Sequence, residues 1–223
     1  MNRNISTVAQ RSPSALATNK VLRNTYMLLS LTLLFSGLTA GISMFMNMPP
    51  MTYLISVIGG MVIAMFVLPR FANSTAGIGI VFLITGLLGF GLGPMLSMYA
   101  ALPNGGNVIT LAFGGTGVIF MGLSAYVLTT RKDFSFLGGF LMVGFLLVLL
   151  AAVANIFLAI PAMSLMISAV VIMIMSGFIL YDTSRIIHGG ETNYVMATIG
   201  LYLTIFNIFI SLLQILGIMG GDD

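Results

Sequence analysis

The sequence predicts an all-α, polytopic membrane protein: a bundle of seven transmembrane helices with the last helix central. Three observations carry that prediction. The chain has 223 residues, 59% hydrophobic and only 6% charged. A soluble domain is nearer one quarter charged, so too little polar surface exists here to clothe a globule in water. The apolar segments are long and continuous, where a transmembrane barrel would show short alternating ones. The stretch Tyr194–Ile218 is free of charge and carries polar or small residues at Gly200, Thr204, Asn207, Ser211 and Gln214. Steps of four and three put those residues on one face of a helix. Lipid offers such a stripe no hydrogen-bond partner, so it must turn inward. That places this helix at the centre of the bundle.

Residues 1–25 differ from the rest. They are rich in Ser, Thr, Asn and Ala, carry Arg3, Arg11, Lys20 and Arg23, and lack apolar periodicity. They are expected to form a flexible tail. The apolar run that follows is too long for the core of a signal peptide. A transmembrane domain is expected over 26–218, and a short C-terminal tail over 219–223.

The seven expected spans are Tyr26–Met46, Met51–Leu68, Ala76–Met98, Val108–Leu128, Phe136–Leu158, Ala162–Ile187 and Tyr194–Ile218. Each break has a chemical reason. Pro49-Pro50, Pro69-Arg70, Pro103 to Gly106, Pro161 and Gly189-Gly190 interrupt helices through their backbones. Arg131-Lys132-Asp133 separates the fourth and fifth spans by charge. With the N-terminus inside, all 8 basic residues fall on one side: Arg3, Arg11, Lys20, Arg23, Arg70, Arg131, Lys132 and Arg185. The positive-inside rule therefore supports seven spans, a cytoplasmic N-terminus and a C-terminus on the outer side.

Small residues suggest how the helices meet. Gly37 and Gly41 in the first span, and Gly89 and Gly93 in the third, have the spacing that lets backbones approach closely. Packing within the chain is the expected use, ahead of a dimerisation motif. Thr32, Ser36, Thr39 and Ser43 form a second stripe, also expected to face inward. Gly93-Pro94 is expected to kink or end the third helix. No internal repeat stands out, so an inverted-repeat transporter is not indicated.

Few residues here can carry chemistry. Asp182, Arg185 and His188 follow one another at three-residue steps near the end of the sixth span, so Asp182 and Arg185 can pair. Two readings of Asp182 stay open: a structural carboxylate, or an ion or proton site beside the polar stripe. His188 has two readings, a sensor or a solvated side chain. Asn155 is expected to bond between helices, and Asn207 belongs to the stripe. Cysteine is absent and His188 is the single histidine, so no disulfide or multi-histidine metal site arises. The 18 methionines read as pliable lining or packing, and they do not form a spaced cluster that reads as a copper site. No nucleophile and base pair, phosphate loop or metalloprotease motif is present, and neither an enzyme nor a cofactor is expected.

Three stretches carry a family resemblance: SAYVLTTRKDFSFLGG (Ser124 to Gly139), LYDTSRIIHGGETNY (Leu180 to Tyr194) and LYLTIFNIFISLLQILG (Leu201 to Gly217). They resemble the Bax inhibitor, or transmembrane Bax-inhibitor-motif, family. The opening KVLRNTYMLLSLTL (Lys20 to Leu33) and the HGGETNY loop resemble its bacterial branch. The resemblance implies a seven-helix bundle with a central last helix. It also implies a bacterial inner-membrane regulator that binds the FtsH protease and restrains its proteolysis. The alternative it implies is a calcium or proton leak channel with paired aspartates on the last two helices. Asp182 matches the first of that pair. Thr204 stands where the second belongs, and it cannot supply a charge.

Overall fold

The computed structural model describes residues 15–220. Among them seven helices are long and apolar enough to cross a membrane, and no strand occurs. They are α1 (Ala15–Phe45), α2 (Met51–Phe71), α3 (Thr75–Ala100), α4 (Gly105–Thr130), α5 (Gly138–Leu158), α6 (Pro161–Ile187) and α7 (Tyr194–Met219). A short 3₁₀ turn, Ser135–Leu137, leads into α5. The all-helical, seven-span membrane architecture is the expected one.

Several boundaries move. Residues 15–25, expected in the tail, are the first turns of α1. Val21 and Leu22 pack against the core and Thr25 is fully buried, so tertiary contacts hold a segment that lacks a membrane-like apolar pattern. The rest of the expected tail, residues 1–14, lies outside the described residues, as do residues 221–223.

Pro69 does not stop α2 at Leu68. The helix widens to a π turn over Ile63–Val67 and continues to Phe71. Proline has no N–H to give to the carbonyl four residues back, and its ring crowds that carbonyl. A π turn relieves both problems without ending the helix. Pro94 likewise lies inside α3, which runs on to Ala100. The helix therefore does not end at Gly93-Pro94, one of the two outcomes expected there. The sharp stops occur elsewhere. Arg131 and Ala159 close α4 and α5 with left-handed backbone at φ 51°, and Gly189 closes α6 at φ 76°. At that last stop Gly190 N–H donates to the Arg185 carbonyl (2.8 Å) and Gly189 N–H to the Ile186 carbonyl (3.3 Å). This is the bonding of a Schellman cap, which glycine accommodates without a Cβ clash.

The last helix packs on α1, α3, α4 and α6. It shares the centre with α3, the most buried of the seven, which packs on α1, α2, α4 and α7. The glycines of α3 make this possible. A Cβ at Gly89 would land on the Ser36 carbonyl, and one at Gly93 on the Ser43 side chain. Thus the hydroxyl stripe of α1 faces the glycine stripe of α3, and the two backbones nearly touch. Gly37 and Gly41 behave differently. A Cβ at either meets no atom within 4 Å, and both are exposed on the outer face of α1. The within-chain use expected for that pair is not what the bundle makes of it.

Candidate functional site

The sequence singled out the C-terminal end of α6 and the facing stripe of α7. α6 starts at Ile160-Pro161, where proline's fixed φ suits the first helical position. α7 starts at Asn193, whose side-chain oxygen accepts from the N–H groups of Val195 (2.9 Å) and Met196 (3.1 Å). These two starts fix the register in which the helices pair.

All five stripe residues are buried or half-buried. Gly200 faces Asp182: a Cβ added there would sit 3.5 Å from Asp182 Oδ2. Thr204 donates to the Gly200 carbonyl (3.0 Å), and Asn207 to the Leu203 carbonyl (2.8 Å). Gln214 accepts from the Ser168 hydroxyl across the α6–α7 interface (2.7 Å). Ser211 is buried. Inward placement of the stripe is therefore as expected. Thr204 and Asn207 spend donors on their own helix.

Asp182, Arg185 and His188 do not act together. Asp182 turns to α7. Arg185 turns instead to the segment after the Gly189 stop, where its guanidinium donates to the Gly190 carbonyl (3.1 Å) and lies 3.6 Å from Glu191. The same guanidinium lies 5.5 Å from the centre of the Tyr181 ring. The expected Asp182–Arg185 pairing gives way because the capped turn folds Glu191 back over Arg185. His188 is exposed, and its Nδ1–H donates to the Ser184 carbonyl (2.9 Å).

Ser184 is the hub of this end. Its hydroxyl accepts from the Phe134 N–H (2.9 Å) and lies 3.3 Å from Asp133 Oδ1. The α4–α5 connection is thereby fastened to α6. Hydrogen bonds from Ser135 hold the Asp133 carboxyl below the usual carboxylate range, with smaller contributions from His188 and the Ser184 hydroxyl. Asn155, as expected, bonds between helices, donating to Ser164 (2.7 Å).

Two polar groups escaped the sequence reading. Tyr202, only 1% exposed, places its hydroxyl 2.6 Å from that of Ser36 and donates to the Thr85 carbonyl at 3.3 Å. That joins α7, α1 and α3. Tyr26, Ser124 and Thr183 bring three hydroxyls together at 2.9, 3.4 and 3.3 Å, joining α1, α4 and α6. Ser36 belonged to a recognised stripe, but Tyr202 lies off the α7 stripe, so nothing in the sequence linked them.

Comparison with known proteins decides the family. The model described as "Inhibitor of apoptosis-promoting Bax1" matches residues 18–221. The chain belongs to that family. Among its relatives, the Escherichia coli K12 protein named "Modulator of FtsH protease YccA" is 52% identical over 222 residues, covering both chains in full. The same alignment holds for a protein of E. coli O6:H1 named "Inner membrane protein YccA". A Pseudomonas aeruginosa protein is 54% identical over 203 residues, 91% of each chain. This Bax inhibitor-family chain is thus a membrane protein whose relatives carry names of modulators or membrane proteins and not of enzymes.

Proposed function

We propose that this chain is an inner-membrane regulator that binds the FtsH protease and restrains its proteolysis of membrane proteins. The observation that carries the reading is the 52% identity, over the whole length of both chains, to a protein named as a modulator of that protease. The N-terminus lies in the cytoplasm and the C-terminus outside, in keeping with the placement of every Lys and Arg on one side. Restraint is competitive: a bundle with two buried central helices occupies the protease without being readily extracted. The bonding of the stripe supports a packing role for Thr204, Asn207 and Gln214 over a cation path.

The test is cleavage of a membrane substrate by FtsH in one bilayer, with this chain or with an unrelated seven-span protein. Specific slowing by this chain is expected. Equal cleavage in both, with both correctly inserted, overturns the reading. Asp182→Asn is expected to leave the slowing intact, since that carboxylate faces Gly200 within the bundle.

A further inference from the structure

Between α1 and α2 the chain reads Met44-Phe45-Met46-Asn47-Met48-Pro49-Pro50-Met51, four thioethers within eight residues. As sequence alone, these methionines read with the rest as lining or packing. The turn places Met46, Met48 and Met51 in one short connection at the end of the bundle. Asn47 N–H donates to the Met44 carbonyl (3.0 Å) and Met48 N–H to the Ser43 carbonyl (3.4 Å), with Asn47 left-handed at φ 50°. This is a second Schellman cap, and it turns the chain away from the helix axis within two residues. Pro49 and Pro50 follow. Their carbonyls accept from Thr52 (2.9 Å) and Tyr53 (3.1 Å), so Met51 opens α2 on a braced backbone.

Chain geometry bounds the distances. Successive Cα atoms are about 3.8 Å apart, so Met46 and Met48 lie within about 7.6 Å, and Met48 and Met51 within about 11.4 Å. Each gap is short enough for two flexible three-torsion side chains to reach an ion between them. Met46 is 55% exposed and Met51 61%, Met48 is half-buried, and Met44 packs against the core. The stretch 44–51 offers no carboxylate, imidazole or thiol. Hard divalent ions therefore find no anionic ligand there, whereas thioethers suit soft monovalent ones.

We propose that the α1–α2 turn is a binding site for a soft monovalent cation, Cu(I) or Ag(I), held by the thioethers of Met46, Met48 and Met51. The site is independent of the protease reading and opens to the side opposite the basic residues.

The test uses the full chain in nanodiscs, titrated with Ag(I) and, under reducing conditions, with Cu(I) against a chromogenic Cu(I) chelator. The loop variant is Met46→Leu/Met48→Leu/Met51→Leu, which conserves volume. The control is Met121→Leu/Met142→Leu/Met173→Leu at three exposed positions on other helices. Wild type and control are expected to take one ion per chain, and the loop variant to bind at least about tenfold more weakly. In wild type carrying ¹³C-methyl methionine, one equivalent of Ag(I) should shift the Met46, Met48 and Met51 resonances and leave the control three in place. Equal uptake by the folded loop variant overturns the proposal. So does an unshifted set of loop resonances, a readout that does not depend on the variant folding.

Discussion

The Tyr202 hydroxyl lies 2.6 Å from the Ser36 hydroxyl, 166 residues away in the chain. Tyr202 gives its one proton to the Thr85 carbonyl, so Ser36 is the donor in the shorter bond. One phenol thus ties the last helix to the first and the third. Tyr202→Phe removes both bonds with little change in shape. Interhelical bonds of this kind are worth about 0.6 to 2 kcal/mol in a membrane. A double-mutant cycle with Ser36→Ala should return a coupling in that range by reversible unfolding in mixed micelles. A coupling of zero would mean that the bond contributes nothing net.

The two glycine pairs should respond in opposite ways. Gly89→Ala places a methyl group on the Ser36 carbonyl, and either α1 or α3 must move. Loss of stability is expected, larger still for Gly89→Val. Gly41→Ala meets no atom within 4 Å and stands in a helix. There the change should be neutral or stabilising by up to about 1 kcal/mol, because alanine loses less backbone freedom than glycine. Melting temperatures of the two alanine variants, measured side by side, check both signs.

Much of this bundle was legible because lipid removes alternatives. Seven long apolar runs must be helices, and the α7 stripe must face protein. The family stretches also pointed to the right family. What the sequence could not show was partner choice. Gly37-Gly41 and Gly89-Gly93 carry the same spacing, yet only the second pair is used within the chain. Arg185 stands three residues from Asp182 and six from Glu191, and it lies beside Glu191 because a left-handed glycine reverses the chain between them. Pro69 read as a stop and Pro94 as a kink or a stop, but the wider helical turn at Pro69 and the dense packing around α3 carry the helices through. Local spacing reports which face a residue occupies and says nothing of what stands opposite.

The fastening of the α4–α5 connection should depend on pH. The Asp133 carboxyl is held below its ordinary value by bonds from Ser135, with help from His188 and Ser184. A carboxylate depressed in the folded state contributes stability above its unfolded value of about 3.9, and that contribution is lost as pH falls through the lower folded value. Hydrogen exchange over residues 131–137 should therefore quicken on acidification below about pH 4, with the α3 core unchanged. Asp133→Asn should exchange faster than wild type at neutral pH and lose most of that acid response. An acid response of the same size in the variant would assign it to another group.

Asn193 joins two connections at once, and its two roles can be separated. Its oxygen caps α7 through Val195 and Met196. Its amide donates to the Ala72 carbonyl (3.0 Å) and to Asn73 Oδ1 (2.8 Å), holding the α2–α3 turn against the start of α7. Asn193→Ala removes both roles. The cap alone is worth about 1 kcal/mol. Asn193→Asp keeps an acceptor at a helix N-terminus, where negative charge is favoured, but loses both donors and sets a carboxylate beside the Ala72 carbonyl. The aspartate variant should therefore keep a protected first turn of α7 by hydrogen exchange while the turn at Ala72–Ser74 loosens. The alanine variant should loosen both. If both variants loosened both segments equally, the cap and the stitch would be a single cooperative unit, and the start of α7 would owe its order to the neighbouring turn and not to its own cap.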